Sequence, residues 1–282
     1  MKTNKQRKVF ILTAVHNNLD NTKKLLESIS KQTYNNFETV IVDDGSTDNT
    51  SSYIKKYAQN VSLYTGNGNL WWTESLNTGL KIILDKAKKY DFVWIINNDC
   101  FFDDKVLENI VNYSTKIKQK NIVGSVVLDS KTKKIWDTGV LVDWKNCEFK
   151  SIPDIDKYKG KIDALSTKGT LYPVQVFKEI GNFDAKHFPQ YFSDYEFSIR
   201  AKRKGYELYI CPTSRIYNIT SNTGIGDKIT KKMKILDIFN VLFSKKSKVN
   251  IGVVINMIRY VCPKEYRIRN YYLLIKKTFK YI

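Results

Sequence analysis

Apolar residues near the N-terminus fall in short unbroken runs, each ending abruptly in polar groups. Val9-Phe10-Ile11-Leu12-Thr13-Ala14 leads into Val15-His16-Asn17-Asn18, Thr39-Val40-Ile41-Val42 stops at Asp43-Asp44-Gly45-Ser46-Thr47-Asp48, and Phe92-Val93-Trp94-Ile95-Ile96 runs into Asn97-Asn98-Asp99. Runs this short, rich in β-branched and aromatic residues, predict strands covered on both faces. Between them the apolar spacing turns helical. Leu25, Leu26 and Ile29 follow the first strand, and Leu76, Leu80, Ile83, Leu84 and Ala87 share one face of a helix predicted over 73–88. This alternation, up to about Leu128, predicts one half of a mostly parallel α/β sheet that binds its ligand at the carboxyl ends of the strands. From Ile135 to about Asn218 the pattern is less regular, with a surface excursion expected at Pro153-Asp154-Ile155-Asp156. The run Ser193 to Lys204 predicts a short helix, acidic at its start and basic at its end, with Gly205 as terminator.

Three strand ends therefore carry polar groups while the strand bodies are apolar. Neither Gly-x-Gly-x-x-Gly nor Gly-x-x-x-x-Gly-Lys-Ser/Thr follows the first strand, which disfavours a dinucleotide oxidoreductase and a P-loop ATPase. Phosphate charge must be met in another way, and a divalent cation held by Asp99 would do so, because hard cations take oxygen ligands. Gly66-Asn67-Gly68-Asn69-Leu70-Trp71-Trp72-Thr73 is the least ordinary loop. Its glycines permit close backbone approach, Asn69 can hydrogen-bond a phosphate or a sugar hydroxyl, and Trp71 and Trp72 serve either as flat ligand walls or as core residues opening the next helix. Asp194, at the start of its helix, is the candidate general base, since a helix N-terminus favours the carboxylate; the competing role is an N-cap.

Taken together, Val42-Asp43-Asp44-Gly45-Ser46-Thr47-Asp48, the run Ser30 to Glu38 and Leu76-Asn77-Thr78-Gly79 resemble the family 2 glycosyltransferases of bacterial polysaccharide assembly, including rhamnosyltransferase-like members. The likeness covers roughly residues 8–220. Asn97-Asn98-Asp99 stands where the family keeps its Asp-x-Asp metal motif, and Phe192-Ser193-Asp194-Tyr195-Glu196-Phe197 where many members read Glu-Asp-x-Asp. The resemblance implies a GT-A fold, a single Rossmann-like nucleotide-binding domain over 1–227, with 8–128 as the nucleotide-sugar half and 129–227 as the acceptor half. It implies inverting transfer from a dTDP- or UDP-sugar to a hydroxyl on a growing glycan or lipid-linked saccharide. In that frame His16, Asp43 and Asp44 hold the nucleoside, Asn17, Asn69, Trp71, Trp72, Lys168 and Gly169 line the nucleotide-sugar site, and Asn98 joins them beside the cation. Asp99 positions Mg²⁺ or Mn²⁺, Asp194 is the base, and Glu196 orients the acceptor or competes as base. Three positions depart from the family pattern: Asn97 for the first Asp, Ser193 for Glu, and Asn218 where many relatives place a metal-binding His. A nucleotidyltransferase and a non-catalytic, membrane-associated scaffold on the same fold are the alternatives.

Charge adds one further element. The chain carries +19, and 14 of its 47 Lys and Arg but only two of its 28 acidic residues lie in 228–282, giving that segment +12. Its apolar stripes, beginning with Leu236, Ile238, Phe239, Val241, Leu242 and Phe243, alternate with basic clusters such as Lys245-Lys246 and Lys276-Lys277. This predicts a basic helical appendage bound to an anionic membrane surface, or packed on the domain or on a second copy in a homo-oligomer. Nucleic acid is a poor match, because no recognised binding motif accompanies the charge. Four scattered cysteines with no Cys-x-x-Cys, and no apolar leader, predict a cytoplasmic protein, peripheral on the inner face of the plasma membrane if the tail binds lipid.

Overall fold

The computed structural model describes residues 6–58, 60–152, 155, 158, 160–219, 240–247 and 249–279. The boundary expected at 227, the stripe residues Leu236, Ile238 and Phe239, and Pro153, Asp154 and Asp156 lie outside the described residues. The first half alternates β1 (Val9–Val15), α1 (Leu19–Ser30), β2 (Phe37–Asp43), α2 (Thr50–Tyr57), β3 (Val61–Thr65), α3 (Trp71–Lys86) and β4 (Phe92–Ile95). There follow β5 (Cys100–Phe102), α4 (Val106–Lys116), β6 (Asn121–Asp129), β7 (Ile135–Asp137), β8 (Val140–Asp143), β9 (Glu148–Ser151), β10 (Thr170–Pro173), α5 (Val174–Ile180), α6 (Ser193–Arg203) and β11 (Glu207–Asn218). The C-terminal segment contributes α7 (Ile251–Asn256), a π-helical turn (Met257–Val261) and α8 (Lys264–Phe279).

The main sheet has the order β3-β2-β1-β4-β10-β6-β11-β5, with β7 paired to β6. Strands β3, β2, β1 and β4 are parallel, as the alternating pattern predicts. Beyond β4 the sheet is mixed: β10 runs antiparallel to both β4 and β6, while β11 runs parallel to β6 and antiparallel to β5. The sequence showed no such reversal, because β10 is four residues long and lies far along the chain from both neighbours.

The unbroken apolar runs follow from burial on both faces. Phe10, Leu12, Val93 and Ile95 turn to one side, where Leu76, Leu80 and Ile83 of α3 cover them. Val9, Ile11, Phe92 and Trp94 turn to the other, under Leu25 and Ile29 of α1 and Leu107 and Ile110 of α4. Alternate residues of one strand thus belong to different core layers, which the period of two requires. A third cluster joins Val140, Ala164, Phe188 and Ile199 to Val253, Met257 and Val261. Asn256 Nδ2 donates to the His187 carbonyl at 2.9 Å and Asn270 Nδ2 to the Trp144 carbonyl at 2.8 Å. The described part of the basic appendage is therefore docked on the domain.

Candidate functional site

The carboxyl ends of β1, β2 and β4 open into a cleft of about 920 Å³, lined by residues of both halves of the sheet. Asn77 helps fix the spacing of those halves, since its side chain donates to the Phe183 carbonyl at 2.9 Å and accepts from the Phe183 amide at 3.1 Å.

One wall is built by Asp44. Its Oδ1 accepts from Gly68 N at 2.8 Å, and its Oδ2 from Leu70 N at 2.9 Å and Trp71 N at 3.1 Å. A single carboxylate thereby satisfies amides at the start of α3 that have no partner within the helix and favours them electrostatically. The loop lies so close that a Cβ on Gly66 would meet Asp44 Oδ1 at 2.8 Å. Trp71 enters the helix with φ of 61°, a left-handed conformation costly for a bulky side chain, and both Trp71 and Trp72 face the cleft. Trp72 also packs against the core, so it is at once a core residue and part of the cleft wall.

His16 lines the cleft with Nδ1 2.6 Å from the Asp44 carbonyl, which orients the ring and leaves Nε2 toward Asn17 at 3.3 Å. Asn17 Oδ1 accepts from Thr47 N at 2.9 Å, so this side chain secures the turn after β2. Asp43 differs from expectation. It is fully buried, its Oδ1 accepts from Ser46 N at 2.9 Å, its Oδ2 accepts from Ser51 Oγ, and it is absent from the cleft lining. As the last residue of β2 it points to the opposite face from Asp44, and its carboxylate is used up by the turn. Asn69 is exposed and lies outside the lining as well.

The floor brings three strand ends together. Asn97, Asn98 and Asp99 follow β4, Lys168 precedes β10, and Asn218 ends β11. Lys168 Nζ lies 3.0 and 3.1 Å from the two Asp99 oxygens and 2.7 Å from Asn218 Oδ1. Both members of this ion pair have side chains only 16% exposed, so water screens the attraction weakly. Burial opposes the ammonium charge, but Asp99, with Cys100 and Asp137 adding to it, outweighs burial and the Lys168 pKa is raised. Gly169 has φ of +72°, and a Cβ there would meet Ser125 Oγ and Ile216 Cδ1, each at 2.9 Å. Its close approach is therefore to protein atoms rather than to a ligand, and it fixes the backbone from which Lys168 extends.

The family resemblance implies a divalent cation on Asp99. Mg²⁺ and Mn²⁺ sites are built from oxygens, with carboxylates offsetting the charge. Here both oxygens of Asp99 face an ammonium, its neighbours Asn97 and Asn98 and the nearby Asn218 are amides, and the next carboxylate, Asp137, acts on Lys168 through space without touching it. Among the described residues no group of three or more His, Cys, Asp or Glu could hold a metal ion. Because Lys168 already stands on both Asp99 oxygens, the residues as arranged do not fit such a cation.

The opposite wall carries Asp194, the second residue of α6. The N-cap position is taken by Phe192, and Asp194 Oδ1 accepts from Tyr195 N at 2.9 Å. Burial pushes its pKa up to about 6; the Asp137 carboxylate adds to this, and together they outweigh the Tyr195 and Thr167 amides that favour the anion. Helix position thus does not set this group's acidity, contrary to the expectation from sequence. The resulting value suits a base, largely ionised at neutral pH yet able to take a proton. Glu196 is not at the cleft. It is buried and paired with Arg200, Nε to Oε1 at 2.7 Å and Nη2 to Oε2 at 2.9 Å, while Arg200 also donates to the Ile180 and Asn182 carbonyls. That geometry removes it as rival base and as acceptor contact.

Sequence reasoning missed Trp136, Asp137, Thr167, Gln190, Tyr195 and Lys246, all in the lining. Gln190 Oε1 accepts from Trp72 N at 3.0 Å, joining the two walls. Lys245, adjacent to Lys246, lies over the Trp71 ring at 5.5 Å, so the appendage reaches the mouth of the cleft. Trp136, Asp137, Thr167 and Gln190 sit in no pattern that marks them, whereas Tyr195 lies inside the Phe192 to Phe197 motif and Lys246 in the basic pair Lys245-Lys246, neither of which signals a place in the cleft.

The mixed sheet and the cleft at its strand ends define an α/β architecture of the GT-A type. Residues 10–181 match the glycosyl transferase family 2 domain, and the chain belongs to that family. It is 26% identical over 226 residues to an uncharacterized glycosyltransferase of Rickettsia typhi, covering 77% of this chain and 67% of that one. It is 26% identical over 219 residues to the poly(ribitol-phosphate) beta-N-acetylglucosaminyltransferase TarP of Staphylococcus aureus, covering 68% and 62%. Other curated relatives are matched over as little as 25% of their length. Among solved structures, GalNAc-T7 with UDP, GalNAc and Mn²⁺ superposes with a TM-score of 0.64 at 14% identity, over 95% of this chain and 55% of that one, a likeness of fold.

Proposed function

We propose that this protein is an inverting glycosyltransferase that moves a sugar from a dTDP- or UDP-sugar to a hydroxyl on a growing glycan or lipid-linked saccharide. The observation that carries the reading is Asp194, a carboxylate with pKa about 6 in a cleft whose other wall is the aromatic loop held by Asp44. Trp71 and Trp72 offer flat faces to a base or a sugar ring, and His16 presents a ring already oriented by the Asp44 carbonyl. With the donor on that wall, the acceptor hydroxyl lies between the anomeric carbon and Asp194. Asp194 takes the hydroxyl proton as the oxygen attacks from the face opposite the leaving nucleoside diphosphate, so the C–O bond to phosphate breaks as the new one forms and configuration inverts. Thermal-shift titration of the full chain against UDP-, dTDP- and GDP-sugars should show stabilisation by one nucleotide class; 100 times its Kd of free ligand adds about 2.7 kcal/mol to stability. No shift with any of them would favour the scaffold reading.

We propose that the protein also sits peripherally on an anionic leaflet, through α8. Ile268, Tyr272 and Ile275 are 86%, 63% and 55% exposed, and their i, i+4, i+7 spacing sets them on one face beside Lys276 and Lys277. Basic residues near such a surface contribute about 1 kcal/mol each. No helix among the described residues is long and apolar enough to cross a membrane. The chain should float with phosphatidylglycerol vesicles and not with phosphatidylcholine vesicles, and Ile268→Asp with Ile275→Asp should abolish flotation. Equal flotation of the double variant would refute this placement.

A further inference from the structure

We infer that the fixed ammonium of Lys168 occupies the cation position of the donor site, so that nucleoside diphosphate binding requires no divalent metal. The inference rests on the glycosyltransferase reading and gives its donor site a specific chemistry.

Four observations carry it. Lys168 Nζ stands on both oxygens of Asp99, 3.0 and 3.1 Å away, at the strand end where the sequence placed a metal ligand. Asn218 Oδ1, at 2.7 Å, completes the contact set from β11. An ammonium has three N–H donors and no acceptor, and oxygens on two strand ends give those donors a defined direction. Among the described residues its only other direct side-chain partner, Asn218, is a neutral amide, the cleft-lining Asn97 and Asn98 beside Asp99 are neutral as well, and the Asp137 carboxylate acts on it without touching it. Of the described carboxylates only Asp99 touches this position, with Asp137 acting from farther off, so a dication there would depend on the diphosphate for the rest of its neutralisation, whereas the ammonium is already paired by Asp99.

The ammonium is also held from behind. Thr170 pairs with Ile95 across β10 and β4, Gly169 N donates to the Ile95 carbonyl at 2.9 Å, and Ser125 Oγ donates to the Gly169 carbonyl at 2.7 Å. Asp99 is tied to β11 by Ile219 N, which donates to its carbonyl at 2.8 Å. Lysine and carboxylate thus hang from neighbouring strands of one sheet, and an entering phosphate oxygen exchanges with an Asp99 oxygen on a charge already in place. Lys246, on the cleft lining, supplies a second positive group toward the mouth.

The test is calorimetric titration of UDP, dTDP and GDP into the full chain, once in EDTA and once in Mn²⁺. The expected result is an affinity for one of them that agrees within about threefold between the two buffers, and that falls more than tenfold in EDTA for Lys168→Met. Binding at least tenfold tighter in Mn²⁺ than in EDTA overturns the inference and leaves the glycosyltransferase reading standing. Binding of none of the three in either buffer removes the glycosyltransferase reading and the inference with it. The wild-type comparison decides the matter even if Lys168→Met fails to fold, which a thermal melt of the variant reveals.

Discussion

Replacing Asp194 with Asn lowers the rate of sugar transfer on the order of 10³-fold, the usual contribution of a positioned general base, while leaving nucleoside diphosphate affinity within about twofold. The amide keeps the shape of the side chain and can still accept from Tyr195 N, so the start of α6 is preserved. In the wild-type protein the rate should climb as pH rises through about 6, because Asp194 acts as a base only when ionised and its pKa is raised to about 6. The same shift has a consequence for stability. Unfolded, the group titrates near 3.8; folded, near 6. Between these values the folded state keeps a proton that the unfolded state releases. The stabilising difference is therefore full below about pH 4, is lost as pH rises to about 6, and stays lost above it. Asp194→Asn does not ionise, so it should melt above wild type at pH 7.5 and lose that advantage at pH 4. A variant that retains transfer, or that melts below wild type at pH 7.5, contradicts the role assigned to the buried carboxylate.

Asp44→Ala is expected to be the most damaging single change in the cleft wall that Asp44 builds. Three backbone amides, Gly68, Leu70 and Trp71, lose their acceptor together. Unsatisfied amides cost about 1–3 kcal/mol each when buried, and water reaches part of this loop, so a loss of about 3 kcal/mol is expected. For a chain of this size that corresponds to a fall in Tm of roughly 6–12 °C. Trp71 is held at its positive φ by the same carboxylate, so the loop should relax and nucleoside diphosphate affinity should drop at least about tenfold. Asp44→Asn, which keeps one acceptor oxygen, should fall between the two. Calorimetric melts and nucleotide titrations of both variants measure this, and an unchanged Tm with normal affinity for Asp44→Ala would show that the loop does not depend on its clamp.

These expectations also show what a linear reading could and could not reach. The strands β1, β2 and β4 and the helix α3 were legible, because burial on both faces leaves unbroken apolar runs and a single covered face leaves helical spacing. Asp99 and Asp194 were legible as cleft residues, because each follows such an element and both reach the cleft. The direction of a side chain within a motif was harder. Asp43 and Asp44 are adjacent, yet one closes a turn and the other holds a loop, since neighbouring residues at a strand end face opposite sides. The pairing of Glu196 with Arg200 has the i, i+4 spacing of a helical ion pair, and that signal was present in the sequence. The pairing of Lys168 with Asp99 was not, because 69 residues separate them and only the antiparallel insertion of β10 beside β4 brings them together. Asp137 likewise reaches Asp194 through tertiary folding alone.

The docking of the C-terminal segment bears on the order in which the protein is made. A chain synthesised as far as β11 already contains every strand of the main sheet, and the residues of its two principal core layers. Val140, Ala164, Phe188 and Ile199 must wait for Val253, Met257 and Val261 before their shared cluster is complete. Lys245 and Lys246, at the mouth of the cleft, arrive in the same late stretch. The sheet emerges from the ribosome before the entrance to its cleft, so a nascent chain has the Asp194 carboxylate about 50 residues before Lys245 and Lys246 reach the mouth.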